Sequence, residues 1–431
     1  MLEIAANPID QAESTTLENG LRVVSATMPN TQAVSFAVLI NAGSRFESSA
    51  QAGISHFIEH LVFKGTRRWP TPRAISEQIE GVGGVLNAST GKELVTYWCK
   101  VPAPRFEKGS SVISSLVTEH LIPAEDVDRE RSVILEEIDM YYDDPHSMTD
   151  LLSERITYPD HPMGRDIIGS RETLNSIERD DLLDFISKQY EPRSTVVAIA
   201  GKPSHAEAVA MAEREFGSWA SDRAPAQREY SDGRATGQAL HVEERATEQA
   251  NMLLTMPAPA QNDPDRFALS LLNAALGQGM SSRLFQRIRE QMGLAYAVYA
   301  YWHPSSDQGH FGVYAGVSPD KAVSALEAIK SELGLALGGL DPDELERARE
   351  FVRGRLILGT EDTRGVLAWI GRQTALYDRV LPLSEAVAQI DAVTSEDVVR
   401  VAERVLDPAN FRLAVLGPFA DAGPFEAALS N

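Results

Sequence analysis

One short stretch, residues 53–65, constrains this chain more than any other. Read as a helix, it places its large apolar side chains at the i, i+3, i+4, i+7 spacing of a buried stripe. His56, Glu59 and His60 fall together on the opposite face. Two histidines one helical turn apart can direct ring nitrogens at one metal ion, and the glutamate between them would lie beside that ion.

The order His-x-x-Glu-His is the reverse of the commoner zinc motif His-Glu-x-x-His. The alternative is a histidine-bearing surface turn that binds no ion. The separation of the polar and apolar faces of this helix favours the metal site.

A second predicted helix, residues 126–141, carries carboxylates on a face that otherwise reads as buried. Its apolar stripe consists of Val127, Ile134, Ile138 and Tyr141. Glu130 and Glu137 fall on the same stripe, where a carboxylate costs several kcal/mol unless it is paired or binds a metal. The alternative is a charge-rich, solvated helix that tolerates two glutamates at its half-buried edge, and the pattern alone supports both readings equally.

A catalytic zinc takes three protein ligands and leaves a fourth position for water. His56 and His60 supply two of these ligands, and Glu137 is the best-placed candidate for the third. Glu59 is then the natural general base for the attack of water on a peptide carbonyl. We therefore expect one Zn²⁺ per chain and peptide-bond hydrolysis as the reaction class.

Length, net charge and cysteine content limit the possible domain number, binding partners and metal sites. A chain of 431 residues predicts about two to four domains. The net charge of -22 argues against nucleic acid as a partner and is compatible with basic peptide substrates. The single cysteine, Cys99, excludes an internal disulfide framework and a thiolate zinc site. No apolar run is long enough to span a membrane, and residues 1–10 lack a signal sequence, which predicts a cytoplasmic protein unless a leader was removed.

The second half of the chain repeats the order of strands and helices of the first half. Residues 345–349 echo residues 127–131, whereas the counterpart of the motif helix, residues 271–276, has no ligand-type side chain except Asn273. The sequence therefore predicts an α+β fold of two duplicated domains, each a mainly antiparallel β-sheet covered by α-helices. The predicted parts are a zinc-binding domain at 1–220, a polar linker at 221–237, and a C-terminal domain without the metal site at 238–431.

These motifs together resemble the pitrilysin/insulinase family of inverted-motif zinc peptidases. The resemblance is nearest to the mitochondrial processing peptidase beta-subunit group and its bacterial relatives. It rests on residues 53–66, 84–90, 131–138 and 281–285. The family has a glutamate at a fixed distance beyond the second motif histidine, and here that position, after residues 61–136, is Glu137. Glu130 resembles a second acidic position of the family's catalytic site.

The resemblance implies two further substrate-binding elements. An edge strand of the family takes up the substrate as an added strand, and Asn87 and Ala88 match it. An arginine and a tyrosine of the second domain bind the substrate near the zinc, and Arg289 and Tyr296 match them. The alternative from the residues alone is a solvated Arg289 on a helix and a packed Tyr296 on a strand.

In family members built from two chains, the arginine and tyrosine reach the zinc from the partner chain. Because this sequence carries both parts, the resemblance implies a homodimeric clamshell, with a heterodimer as the alternative. The expected function is a zinc endopeptidase that cleaves peptides or unfolded segments in an enclosed chamber. The alternatives are a non-catalytic scaffold subunit of the same family and a catalytic subunit that needs a distinct partner chain.

Overall fold

The computed structural model describes residues 7–220 and 239–430. These residues form two compact units, each of which combines one β-sheet with helices, and this confirms the predicted α+β class. The predicted linker, 221–237, lies outside the described residues. Among the described residues, no helix combines the length and the apolarity needed to cross a membrane.

The first unit contains a sheet of six strands in the order β1-β2-β6-β3-β5-β4. Its strands are β1 (Glu13–Thr16), β2 (Arg22–Thr27), β3 (Ala33–Ile40), β4 (Val85–Thr90), β5 (Val95–Pro102) and β6 (Thr195–Gly201). β2 pairs with β6 in parallel, and all other neighbours in this sheet are antiparallel. β3 is buried along almost its whole length, as expected for a central strand that is covered on both faces.

The second unit contains a sheet of five strands in the order β7-β11-β8-β10-β9. Its strands are β7 (Leu240–Glu244), β8 (Ala250–Ala258), β9 (Ala295–Pro304), β10 (Gly309–Val317) and β11 (Arg412–Gly417). β7 and β11 are parallel, and the other pairs are antiparallel. Strand for strand, this order and these directions repeat β2-β6-β3-β5-β4, which confirms the predicted duplication.

Helices follow the strands in the same order in both halves of the sequence. The first half contains α1 (Ile54–Val62), α2 (Pro72–Glu80), α3 (Phe106–Thr118), α4 (Ala124–Asp143), α5 (Pro145–Thr157), α6 (Arg171–Ser176), α7 (Arg179–Gln189) and α8 (His205–Phe216). The second half contains α9 (Arg266–Gly277), α10 (Ala322–Ala336), α11 (Pro342–Gly359), α12 (Thr363–Tyr377), α13 (Leu383–Ala392), α14 (Ser395–Val405) and α15 (Gly423–Ser430). A π-helical segment, Phe285–Gln291, precedes β9.

Neither unit is continuous in the sequence. Residues 139–165, with α5, belong to the second unit, and residues 357–386, with α12, belong to the first. α12 packs so closely on the first sheet that a Cβ atom at Gly371 would lie 2.9 Å from Leu39 Cδ1 and 3.1 Å from Ala198 Cβ. α5 packs on the second sheet through an apolar cluster that contains Leu152, Ile156 and Leu416. The predicted domain boundaries stay a prediction, and the units show that each sheet is covered by a helix from the other half of the sequence.

Candidate metal centre

Helix α1 is held at its N-terminus by features of its own sequence. Gly53 is the residue before the helix and has a φ of 95°, a conformation that favours glycine. The carboxylate of Glu47 accepts hydrogen bonds of 2.9 Å from the backbone N–H groups of Gly53 and Ser55, which satisfies two free donors of the first turn. The predicted stripe is buried and consists of Ile54, Phe57, Ile58, Leu61 and Val62. His56, Glu59 and His60 therefore lie together on the other, half-buried face.

The structure brings the three predicted metal ligands together. Glu137 Oε2, on α4, lies 3.9 Å from His56 Nε2 and 3.5 Å from His60 Nε2. One ligand atom from each of the three residues lies within 4.8 Å of the other two. A zinc ion takes ligand atoms at about 2.0–2.2 Å, so one ion fits between these atoms after a small inward movement of the side chains. The donor set of two imidazoles and one carboxylate is typical of a catalytic zinc site.

The electrostatics of the three side chains suit a cation. Burial, and then the neighbouring His60, lower the pKa of His56 to about 4, so its ring is neutral at pH 7 and able to ligate. Burial also lowers the pKa of His60, but its interactions with Glu137 and Glu130 outweigh this, and the net shift is upward. The interaction with His60 lowers the pKa of Glu137. Among the described residues, His56 Nδ1 is buried without a hydrogen-bond partner, whereas His56 Nε2 lies 3.9 Å from Glu137 Oε2.

Glu130 contacts the far side of His60 rather than the space between the ligands. Its Oε2 lies 3.3 Å from His60 Nδ1, and its Oε1 lies 2.6 Å from Lys64 Nζ. Residues that ligate metals through one imidazole nitrogen commonly donate the other N–H to a carboxylate. These contacts suit a positioning role for Glu130, whose side chain is only 6% exposed.

Glu59 lies beside the ligands and is held by a strand of the first sheet. The hydroxyl of Thr90, at the end of β4, donates a hydrogen bond of 2.5 Å to Glu59 Oε2. Burial raises the pKa of Glu59, and the Thr90 hydrogen bond opposes that shift. A carboxyl group with a raised pKa, next to a metal site, has the properties of a general base.

Comparisons with known proteins identify the family of this chain. The model of the insulinase family, peptidase family M16, matches residues 22–171, and that of the peptidase M16 inactive domain matches residues 176–352. An uncharacterized zinc protease of Streptomyces coelicolor is 38% identical, and the match covers 96% of this chain and 91% of that protein. A second uncharacterized zinc protease, from Mycobacterium leprae, is also 38% identical over 94% of this chain and 92% of that protein.

The chain belongs to the insulinase family of peptidases, family M16. The fold of this chain is also similar to that of solved structures. The crystal structure of a protease from Helicobacter pylori has a TM-score of 0.89 at 24% identity and covers 96% of this chain and 100% of that chain. The structure of a peptidase M16 inactive domain from Pseudomonas fluorescens has a TM-score of 0.88 at 20% identity, over 95% and 98% of the two chains.

The edge strand expected for an M16 peptidase is present in the first sheet. β4, which contains Asn87 and Ala88, is the last strand in the sheet order and pairs only with β5 in the described part of the chain. Asn87 is exposed and Ala88 is half-buried. Both residues therefore lie where an added strand would pair, although binding of a substrate there stays a prediction.

Arg289 and Tyr296 contact each other within the second unit. The Arg289 guanidinium lies 5.4 Å from the centroid of the Tyr296 ring and 4.8 Å from that of Phe285. Tyr296 is 73% exposed, so the alternative of a packed strand tyrosine is wrong. The two residues form one contacting pair, in which Tyr296 is exposed and Arg289 is half-buried, and their role in binding substrate stays a prediction.

Some residues that contact the candidate site were not identified from the sequence. Lys64 and Thr90, which hold Glu130 and Glu59, were missed because the contacts join positions that are distant in the sequence. For Lys64 the sequence gave only a weak indication that it lies near the site, namely its position four residues after His60. The predicted stripe of α4 is correct except at Tyr141, which is 43% exposed because it lies in the last turn of the helix, beyond the buried Ile138.

Proposed function

We propose that this M16 family member is a zinc-dependent endopeptidase that cleaves peptides or unfolded segments and holds one Zn²⁺ per chain. The observation that carries this proposal is the group of His56, His60 and Glu137, whose ligand atoms lie within 4.8 Å of one another. Glu59, on the same helix face as the histidines, is held next to this group by Thr90. The relatives named zinc proteases support the same reading.

When bound, zinc supplies a Lewis acid that polarises the scissile carbonyl and lowers the pKa of a water. Glu59 takes a proton from the attacking water and passes it to the leaving amine. The hydroxyl of Thr90 donates a hydrogen bond to Glu59 Oε2 and so restrains this carboxylate. Glu130 and Lys64 keep the His60 ring oriented.

The substrate is proposed to bind as an added strand on β4. An edge strand presents unpaired backbone N–H and C=O groups, which pair with an extended peptide with little demand on its sequence. Asn87 and Ala88 lie in the middle of this edge. The net charge of -22 favours basic peptides. The cytoplasmic location stays a prediction from the sequence.

The test uses the purified chain alone, with its zinc content measured and a mixed-peptide library as substrate. We expect Glu59→Gln to bind zinc like the wild type while its rate of cleavage falls by about 10²–10⁴-fold, the usual contribution of a general base. Glu136→Gln, an exposed glutamate on α4, is the matched control and should cleave normally. Zinc without cleavage by the wild type would indicate a need for a distinct partner chain, and a chain without zinc would indicate a scaffold subunit.

We also propose a homodimer in which Arg289 and Tyr296 act on the substrate of the partner chain. The exposure of Tyr296, which Arg289 contacts, supports the proposal, because an exposed side chain is available to another molecule. A Glu59→Gln chain mixed with an Arg289→Ala chain should recover activity above that of either parent. If the mixture shows no recovery, completion of the site by a second chain is wrong.

A further inference from the structure

A cavity of about 370 Å³ lies within the second unit, and none of its lining residues is a predicted metal ligand or substrate-binding residue. One wall is helix α5, and the other is the pair of strands β9 and β10. The lining residues that matter here are Asp150, Glu154, Tyr299, Tyr301, His303 and His310. The volume is in the range of small-ligand sites.

The sequence builds the two walls with different chemistry. On α5, the apolar side of the helix packs on the second sheet, and Asp150 and Glu154, four residues apart, share the side that lines the cavity. On β9, Tyr299, Tyr301 and His303 alternate along the strand and so point to one face of the sheet. The cavity therefore has an acidic wall and an aromatic wall.

The aromatic wall depends on a glycine of the neighbouring strand. Tyr301 lies opposite Gly312 in the register of β9 and β10. A Cβ atom at Gly312 would lie 2.5 Å from Tyr301 Cζ, so the tyrosine ring lies flat across the glycine. Next along the ladder, His303 stacks on His310 with ring centroids 5.2 Å apart. The Tyr301 ring is thus held against the sheet, and its position is fixed by the backbone beneath it.

The charges on the lining favour a cationic guest. Among the described residues that line the cavity there are two carboxylates and neither lysine nor arginine. Burial raises the pKa of Asp150 to about 6, with His146 opposing and Glu154 and Asp144 adding to the shift. A bound cation would relieve this desolvation and repulsion. Among the described residues, the one group of three or more histidine and acidic side chains close enough to hold a metal is His56, His60 and Glu137, and it does not include the carboxylates of the cavity.

We propose that this cavity binds an organic cation, an ammonium or guanidinium group that stacks on the ring of Tyr301 and pairs with Asp150 and Glu154. Aromatic faces and carboxylates together recognise such cations, because the ring quadrupole and the carboxylate charge both attract them while the ring covers the apolar part of the guest. The cation belongs either to a free amine or guanidine or to the basic side chain of a peptide. Binding here does not depend on the proposed peptidase activity.

The test is calorimetric titration of the full chain, in a Glu59→Gln background that prevents the proposed cleavage of peptide probes. The probes are agmatine, a blocked dipeptide with one arginine, which is too short to pair along β4, and the same peptide with citrulline, the uncharged isostere. We expect the cationic probes to bind and the citrulline peptide to bind at least tenfold more weakly. Binding of agmatine supports a free cation as the source, and binding of the arginine peptide without agmatine supports a peptide side chain.

Two variants test the two walls of the cavity. Asp150→Asn should weaken binding of the cationic probe at least tenfold, and Tyr301→Leu should weaken it severalfold. Asp343→Asn, an exposed aspartate in the same unit, is the matched control and should bind like the parent. Each variant is first checked for an unchanged circular dichroism spectrum. The proposal is overturned if neither cationic probe binds, if citrulline binds as well as arginine, or if Asp150→Asn binds as the parent does.

Discussion

The contacts of Glu130 predict that Glu130→Gln weakens zinc binding although no ligand is removed. Glu130 lies 3.3 Å from His60 Nδ1 and 2.6 Å from Lys64 Nζ. A glutamine keeps the shape but loses the negative charge, so it holds the imidazole less firmly and no longer balances the lysine. Loss of such a partner commonly reduces metal affinity about 10–100-fold, which is about 1.4–2.7 kcal/mol.

The assay is a competition titration of the metal-free chain with Zn²⁺ against a fluorescent chelator at pH 7.5. Glu136→Gln makes the same chemical change on the same helix, but its side chain is exposed, so its zinc affinity should equal that of the wild type. A thermal melt of each metal-free variant separates loss of zinc affinity from loss of the fold. If Glu130→Gln and Glu136→Gln bind zinc within twofold of each other, Glu130 does not position His60.

Three further results are expected. Gly53→Ala should destabilise the metal-free chain by about 2–4 kcal/mol, because its φ is 95° and the new Cβ would lie 2.5 Å from Ile168 O. Gly83→Ala is the control: its φ is 74°, but no atom of the described residues lies within 4 Å of the new Cβ, so the free energy of unfolding should fall by only about 1 kcal/mol. Equal urea midpoints for the two variants would contradict this reasoning. Thr90→Val removes a hydrogen bond that lowers the pKa of Glu59, so the acidic limb of the kcat/KM profile should move to higher pH, whereas Thr90→Ser should leave it in place. Chelation of zinc should abolish cleavage and lower the melting temperature, and both should return with zinc, whose binding at a free concentration 100-fold above Kd contributes about 2.7 kcal/mol.

The parts of the site that lie on helices could be predicted from the sequence, because helical periodicity fixes which side chains share a face. α1 and α4 occur at Ile54–Val62 and Ala124–Asp143, close to the predicted stretches. Periodicity did not decide whether Glu130 and Glu137 serve a metal or merely tolerate a half-buried edge. The spacing typical of the resembled family singled out Glu137, and the structure places it against both histidines.

Contacts between distant segments could not be predicted in the same way. A helical pattern states which face is buried but not which sheet covers it, so the placement of α5 in the second unit and of α12 in the first was not foreseen. The hydrogen bond from Thr90 to Glu59 depends on the position of β4 in the sheet, to which the local sequence of neither residue points. Long-range strand order therefore determines which side chains support the site, whereas local periodicity determines which side chains share one helix face.

The duplication separates what the fold requires from what the metal site requires. α4 and α11 are counterparts, and the register that aligns Val127 with Leu345 aligns Glu130 with Ala348 and Glu137 with Arg355. Ala348 is 4% exposed and Glu130 is 5% exposed, so the position is buried in both copies. An alanine fills it without a desolvation cost, whereas a carboxylate is stable there only because Lys64 and His60 pair with it. Packing therefore requires only that the side chain at the position shared by Glu130 and Ala348 be buried. The negative charge of Glu130 is explained by its contacts with His60 and Lys64.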